Sequence, residues 1–230
     1  MLRKLSQLQK TSNSLEILRK VNKNIPERNF HEFTYILHDI RTLLGNEEKT
    51  YLEIGSYVGS SASLMLQHEF KTNLICIDPC VLRPSHYNGT LSQSDTLQKN
   101  IAKNNIHNYR VEVSRQYSTD HSLLNKLKQD NTKIDILFID GDHSRNGVLN
   151  DWNNFKDFVN PGGFICFDDY YDDIYSPEVR PAVDFIAQQL DTDKYEVIGS
   201  IENVHKLMCD NPKVYKHPGY INEFIIYKKK

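Results

Sequence analysis

The stretch of this sequence that could carry most chemistry is FIDGDHSRNG, residues 138–147. The apolar end of a predicted strand gives way there to Asp140, Asp142 and His143. Carboxylate oxygens bind hard divalent cations, and a histidine or a carboxylate can accept a proton from a reacting group. The stretch therefore predicts a reactive site at the end of a strand.

A second acidic stretch, GGFICFDDY, also follows an apolar run and ends in Asp168 and Asp169. If the two runs form adjacent central strands, Asp140, Asp168 and Asp169 can converge on one cation. Such a cation lowers the pKa of a coordinated hydroxyl, which makes an alcohol a better nucleophile. We expect Asp172 and Asp173, later in the same segment, to be exposed to solvent.

Short apolar strands that alternate with helices are predicted to position these residues. This pattern favours an α/β domain with a doubly wound, mainly parallel seven-stranded sheet covered on both faces. Ligands bind such sheets beyond the carboxyl ends of the strands. We expect a single domain, with an N-terminal helical extension over 1–46 and the α/β core over 47–230. The predicted strands are 50–54, 73–77, 110–113, 134–139, 164–167, 195–198 and 223–227. Four helices are predicted over 2–22, 27–45, 94–104 and 177–190. Three more are predicted between the strands: one that ends at 66, one that includes 123–127 and one that includes 148–159.

The composition excludes several classes of protein. The formal net charge is −2, which gives no bulk attraction to nucleic acid or to anionic lipid. No apolar run approaches the roughly 20 residues of a membrane span, and charges interrupt the N-terminus where a signal peptide would be apolar. The four cysteines lack metal-ligand spacing. We therefore expect a cytoplasmic protein with reduced thiols and with neither a nucleic-acid nor a membrane partner.

A nucleotide-like ligand is indicated by the segment YLEIGSYVGSSASLML. Glu53, Gly55 and Gly59 lie on its predicted strand-to-helix turn, where small residues let a ligand approach the backbone closely. The segment is not G-x-G-x-x-G, so the dinucleotide fingerprint is absent. The second strand ends at Asp78, and an acid there can accept hydrogen bonds from both hydroxyls of a ribose.

These motifs together resemble the class I S-adenosylmethionine-dependent methyltransferases, and in particular the metal-dependent O-methyltransferases. LEIGSYVGSSA resembles the first motif of catechol O-methyltransferase. FIDGDHS and GGFICFDDY resemble the macrolide-sugar and related antibiotic-sugar O-methyltransferases. The resemblance covers roughly residues 50–190 and implies a Rossmann-like fold, S-adenosylmethionine as cofactor, and magnesium or manganese as metal.

The resemblance also implies a role for each matched residue. Asp140, Asp168 and Asp169 match the metal-binding carboxylates. The general base matches His143 in some members and Asp142 in others, and both alternatives stay open, with His143 favoured because its intrinsic pKa lies closer to neutral pH. The residues expected to contact or shape the cofactor site are Glu53, Gly55, Tyr57, Gly59 and Ser61 around the methionine part, Asp78 at the ribose, Ser118 at the adenine, and Asp140.

The sequence therefore predicts an enzyme that methylates a hydroxyl of a small molecule or glycan. A sugar hydroxyl is the first choice of acceptor, and a catechol or other phenol is the second. A non-catalytic nucleotide-binding module and a dehydrogenase are the alternatives from other classes. The oligomeric state, including a homo-oligomer, is left open.

Overall fold

The computed structural model describes residues 1–26, 32–87, 89–205, 217 and 219–229. Its elements alternate between strands and helices after an N-terminal helical segment. The strands are β1 (Lys49–Ile54), β2 (Thr72–Ile77), β3 (Val111–Ser114), β4 (Ile134–Ile139), β5 (Val159–Phe167), β6 (Tyr195–Gly199) and β7 (Phe224–Lys228). The helices are α1 (Leu2–Gln9), α2 (Ser14–Asn24), α3 (Tyr35–Leu43), α4 (Ser60–Met65), α5 (Gln93–Asn104), α6 (His121–Gln129), α7 (Arg145–Phe155) and α8 (Val179–Gln188), with short 3₁₀ helices at Pro84–His86 and Lys156–Phe158.

The strands form one seven-stranded sheet in the order β3-β2-β1-β4-β5-β7-β6. All neighbours from β3 to β5 are parallel, whereas β7 runs antiparallel to both β5 and β6. The predicted α/β class and mainly parallel sheet are therefore confirmed. Because Ile139 pairs with Phe167 at the ends of β4 and β5, Asp140 and Asp168 leave the sheet side by side.

Successive side chains of the central strands point to opposite faces of the sheet and are buried in two apolar clusters, one on each face. Tyr51 and Phe138 pack with residues of α1, α3 and α4, while Leu52 and Leu137 pack with residues of α6, α7 and α8. Burial on both faces explains why the central strands read as continuous apolar runs. None of the helices in the described part of the chain has the length and apolar composition needed to cross a membrane.

The helical predictions fail in three places. The N-terminal helix predicted over 2–22 is two helices, because the polar segment 10–13 separates α1 from α2 and its short side chains favour turns. The first residues of the helix predicted over 27–45 lie outside the described residues, and α3 begins only at Tyr35. Val159 belongs to β5 instead of the preceding helix, and a register shift between Ile134 and Ile136 accommodates the longer strand.

The cysteines Cys76, Cys80 and Cys166 are free thiols, as predicted, and Cys209 lies outside the described residues. Cys76 and Cys166 are buried within β2 and β5. Burial raises the pKa of both thiols well above the ordinary value, so they are uncharged core side chains.

One backbone contact joins the first turn to the acidic stretch. Gly55 has φ of +90°, and a Cβ at this position would lie 1.8 Å from the carbonyl oxygen of Asp140. Tyr57 and Asp169, with φ of +49° and +58°, also occupy the left-handed region. Residues held in this region carry strain that the surrounding structure must balance, and such residues concentrate at functional sites.

We predict that Gly55→Ala lowers the free energy of unfolding by about 3 kcal/mol or more, since the methyl group adds a clash with the end of β4 to the backbone strain. Gly45→Ala is the matched control, because Gly45 has a similar backbone conformation, with φ of +83°. Apart from its chain neighbours, no described residue has an atom within 4 Å of the position that the added methyl group would take. In Gly45→Ala the free energy of unfolding should fall by only about 1 kcal/mol, because backbone strain is the only cost. Urea denaturation of both variants measures the difference, and equal losses would contradict the proposed contact.

Candidate active site

A cavity of about 310 Å³ opens at the carboxyl ends of β1, β2, β4 and β5. Its lining combines the turn after β1 with the acidic residues that follow β4 and β5. The lining residues are Thr34, Gly55, Ser56, Tyr57, Ser60, Ser61, Asp78, Leu82, Phe138, Asp140, Gly141, His143, Asp168 and Asp169.

Asp78 is buried at one side of the cavity and holds the turn after β1. Its Oδ2 accepts a hydrogen bond from the backbone N–H of Tyr57 at 2.7 Å. Its Oδ1 accepts from the backbone N–H of Cys80 at 2.7 Å and from Nε2 of Gln93 at 3.1 Å. A carboxylate offers about four acceptor positions, so about one remains for a ligand. This geometry fits one ribose hydroxyl more readily than the two expected from the sequence.

Glu53 is fully buried and does not line the cavity. Its Oε2 accepts hydrogen bonds from the hydroxyls of Tyr51 at 2.8 Å and Ser61 at 2.7 Å. Burial raises the pKa of the carboxyl group, while the Ser61 hydrogen bond opposes that shift. Glu53 therefore orients Ser61, which does reach the cavity, from within the core.

Two other residues predicted to contact the cofactor also lie outside the lining. Gly59, with φ of +84°, is the residue before α4 and packs against the side chain of Leu97. Ser118 is hydrogen-bonded to the carboxyl group of Asp151. Burial raises the pKa of Asp151 to about 6, and the Ser118 hydrogen bond acts in the opposite direction. Gly59 and Ser118 thus contact protein groups in the described geometry.

The acidic side of the cavity brings together Asp140, His143 and Asp169, whose ligand atoms lie within 4.8 Å of one another. Nε2 of His143 is 3.2 Å from Oδ1 of Asp140, and Nδ1 is 3.4 Å from Oδ2 of Asp169. Asp168 lines the same cavity but is not part of this compact group. The predicted set of three carboxylates is therefore close together, yet the tightest group contains His143 in place of Asp168.

Two members of this group, Asp140 and His143, have raised pKa values. Burial and the nearby charge of Asp168 raise the pKa of Asp140 well above its ordinary value. Burial favours the neutral form of His143, but the hydrogen bond to Asp140 and the charges of Asp169 and Asp168 outweigh it and raise the pKa to about 9. In the metal-free protein, a protonated imidazole therefore balances part of the carboxylate charge at neutral pH.

The geometry separates the two candidate bases. Asp142 is exposed and does not line the cavity. Its carboxylate oxygens accept hydrogen bonds at 3.0 Å from the backbone N–H and from the hydroxyl of Ser144, the residue that precedes α7. Asp142 thus stabilises the turn into α7, and His143 alone of the pair faces the site.

Three buried residues beside the acidic group were not predicted. Ser176 is hydrogen-bonded to Asp169 and His143, and the side-chain N–H₂ of Asn222 donates to Asp169 at 3.3 Å. Glu223 is fully buried, and desolvation together with the charge of Asp168 raises its pKa well above the ordinary value. Asn222 and Glu223 reach this edge because β7 is antiparallel, so the residues before it lie at the carboxyl ends of its neighbours.

The prediction that Asp172 and Asp173 are exposed was wrong for Asp172, and Asp173 is half-buried. Asp172 is 4% exposed, and its Oδ1 accepts hydrogen bonds from the backbone N–H groups of Ile174 and Tyr175 at 3.0 and 2.9 Å. Asp173 forms an ion pair with Arg180. Both acids therefore build the loop after β5.

Comparison with known proteins places the chain among methyltransferases. A family model described as a methyltransferase domain matches residues 52–170. An uncharacterized protein of Acanthamoeba polyphaga mimivirus is 38% identical over 211 residues, which cover 90% of this chain and 91% of the viral protein. An O-methyltransferase from Bacillus cereus in complex with SAH superposes with a TM-score of 0.60 at 19% identity, covering 95% of this chain and 92% of that one. A protein from Staphylococcus aureus described as a caffeoyl-CoA O-methyltransferase superposes with a TM-score of 0.58 at 14% identity, covering 98% and 96%.

We predict that His143 in the metal-free protein titrates near pH 9. A pKa raised above 6.5 means that the bound proton stabilises the fold fully below about pH 6.5, and that this stabilisation is lost as the pH rises through 9. Asp140→Asn should lower the pKa of His143 markedly, whereas Asp142→Asn should leave it unchanged. NMR titration of the imidazole protons measures both shifts, and an unperturbed His143 in the wild-type protein would contradict the assignment.

Proposed function

The chain belongs to the methyltransferase domain family, and from this premise we propose that it transfers a methyl group from S-adenosylmethionine to a hydroxyl of a sugar or glycan with the help of a divalent metal. The observation that carries the proposal is one cavity in which the turn around Gly55 faces Asp140, His143 and Asp169. A ligand held on the turn would lie beside a proton acceptor and a set of carboxylates. Metal-assisted methylation of a hydroxyl needs the methyl donor, a proton acceptor and the cation ligands at one place.

The residues on the β1 side fit the proposed cofactor. Gly55, Ser56 and Tyr57 of the turn all line the cavity, so a ligand there would contact the turn directly. Asp78 retains about one acceptor position, which suits a ribose hydroxyl, and the Ser61 hydroxyl is held in place by Glu53. S-adenosylmethionine supplies a methyl group on a sulfonium, and the electron pair of the broken carbon–sulfur bond stays on sulfur.

The residues on the acidic side fit a magnesium or manganese ion. Asp140, Asp168 and Asp169 all line the cavity, and hard cations of this kind prefer oxygen ligands. A bound cation would lower the pKa of a coordinated acceptor hydroxyl. The backbone strain at Asp169 is consistent with a carboxylate that is held in place for binding.

His143 is proposed as the general base that takes the proton of the acceptor hydroxyl. The carboxylates that surround it raise its pKa to about 9, which keeps it protonated at neutral pH. Neutralising those carboxylates would lower that pKa toward the ordinary value and free Nε2 to accept a proton. His143 also belongs to the compact group of potential ligands, so its role as a base and its role as a metal ligand need to be separated by experiment.

A sugar hydroxyl is proposed as acceptor ahead of a phenol. The support comes from FIDGDHS and GGFICFDDY, which resemble the sugar O-methyltransferases, and from a lining in which polar side chains outnumber the aromatic Tyr57 and Phe138. Neighbouring hydroxyls of a sugar can meet the carboxylates and His143 together. A phenolic acceptor remains the second candidate, and the structural likeness to the protein described as a caffeoyl-CoA O-methyltransferase favours it.

We predict methyl transfer from isotopically labelled S-adenosylmethionine to at least one member of a panel of sugars, glycans and phenols. A chelator should abolish the transfer, and magnesium or manganese should restore it. The product is located by NMR, and Asp169→Asn serves as a matched control that should lose turnover but still bind S-adenosylmethionine. Full activity in chelator would refute the metal dependence, and absence of cofactor binding would refute the methyltransferase assignment.

Asp78→Ala should weaken binding of S-adenosylmethionine by about 1.5–3 kcal/mol, or roughly 10- to 150-fold, because one charge-assisted hydrogen bond is lost. Calorimetry measures the affinity, and circular dichroism checks that the variant is folded. Asp130→Ala, an exposed acid at the end of α6, is the control and should bind normally. An unchanged affinity for the Asp78 variant would remove this residue from the cofactor site.

His143→Ala should reduce turnover by roughly 10²–10⁴-fold, as expected for loss of a general base. Asp142→Asn should have a mild effect, since Asp142 bonds only to Ser144 in the described structure. Manganese affinity, measured by electron paramagnetic resonance, separates the two roles of His143. Unchanged affinity in His143→Ala supports a base, a large loss indicates a ligand, and a severe defect confined to Asp142→Asn would reverse the assignment.

A further inference from the structure

We propose that Ser176 is a positioning residue that fixes the tautomer of His143, placing the ring proton on Nδ1 and leaving Nε2 as the basic nitrogen. This inference rests on the proposed function only in naming Nε2 as the nitrogen that accepts the proton of the acceptor hydroxyl. The tautomer itself is a property of the hydrogen bonds around the imidazole. It can be measured without cofactor, acceptor or turnover.

The Ser176 hydroxyl lies between two residues of the acidic group. Ser176 is 2% exposed, and its Oγ is 2.7 Å from Oδ2 of Asp169 and 2.9 Å from Nδ1 of His143. Oδ2 of Asp169 is itself 3.4 Å from Nδ1, which is longer than a good hydrogen bond. The hydroxyl is therefore the closest polar contact of Nδ1 among the described contacts.

The hydrogen-bonding capacity of a serine decides where its proton goes. A hydroxyl has one O–H donor and two acceptor lone pairs, whereas an ionised carboxylate only accepts. The Ser176 proton is therefore donated to Asp169, and a lone pair of Oγ faces His143. Nδ1 must then carry a hydrogen to complete the contact. In the neutral imidazole this leaves the free electron pair on Nε2.

Asp140 acts against this arrangement. Its Oδ1 is 3.2 Å from Nε2 of His143 and would accept a proton from that nitrogen. Without the serine, carboxylates at both nitrogens would compete for the single ring proton of a neutral imidazole. Ser176 resolves the competition in favour of Nδ1, so that Nε2 keeps the lone pair that a base needs.

The loop after β5 holds Ser176 in this position. The backbone N–H of Ser176 donates to the carbonyl oxygen of Asp172 at 3.2 Å, and its own carbonyl accepts from Val179 at the start of α8 at 3.1 Å. The buried carboxylate of Asp172 closes the turn through Ile174 and Tyr175. These contacts explain the burial of an acid that the sequence suggested was exposed, because Asp172 orders the loop that carries Ser176.

The test is long-range ¹H–¹⁵N NMR of ¹⁵N-histidine-labelled protein, which distinguishes a protonated from an unprotonated ring nitrogen. Spectra are recorded over pH 7 to 11, and the tautomer is read where the His143 ring is neutral. His143→Gln identifies the resonances. We expect Nδ1 to be protonated in the wild-type protein. In Ser176→Ala the Nε2-protonated form should increase, and Ser176→Thr, which keeps the hydroxyl, should restore the wild-type spectrum.

Ser144→Ala is the matched control, because Ser144 follows His143 in the chain and bonds to Asp142 without an observed bond to the imidazole. Its spectrum should match the wild type at His143. A wild-type ring protonated on Nε2 would overturn the proposal even if the variants failed to fold, and so would an unchanged tautomer in Ser176→Ala. If the expected tautomer is observed but no methyl transfer is detected, the proposed function is refuted and the role of Ser176 still holds.

Discussion

The crowding of negative charge at the ends of β4 and β5 is the constraint on which the site depends. Asp140, Asp168 and Asp169 line one cavity, and Glu223 is buried beside them. Buried like charges are costly unless protons, hydrogen bonds or a cation balance them. With its pKa raised to about 9, a protonated His143 balances part of this charge at neutral pH, while Ser176 and Asn222 donate hydrogen bonds to Asp169. Such a cluster suits the divalent cation that we propose, and the base proposed for catalysis is the group that otherwise holds a balancing proton.

The backbone connects this acidic site to the proposed cofactor site. Gly55 approaches the carbonyl oxygen of Asp140 so closely that no side chain fits between them. Asp78 and Gln93 hold the same turn from the opposite side, through Tyr57. Since β1 lies between β2 and β4, a shift of either strand would move both halves of the cavity. The methyl donor and the acceptor would thus be oriented by one rigid sheet edge, which is how enzymes gain rate from proximity.

The sequence predicted this sheet edge well because short-range patterns determine it. Apolar runs that end in Gly55, Asp78, Asp140 and Asp168 define parallel strands, and parallel strands place their ends together. The sequence favoured His143 over Asp142 only on intrinsic pKa. It could not show which of the two faces the cavity, because a local hydrogen bond from Ser144 turns the Asp142 side chain away. Ser176, Asn222 and Glu223 were missed for a different reason. Their importance arises from contacts with residues distant in the chain, and each is an ordinary loop or strand residue in the sequence alone. The exposure expected for Asp172 failed likewise, since an acid that accepts backbone hydrogen bonds can be buried at little cost.

The carboxylates are proposed to hold a proton on His143 and to release it when a cation takes its place. The most direct measurement is an NMR titration of His143 at increasing magnesium concentration, without cofactor or acceptor. We expect saturating magnesium to lower the pKa of His143 from about 9 toward or below its ordinary value of 6.5. A pKa that stays near 9 in protein shown to have bound magnesium would contradict it.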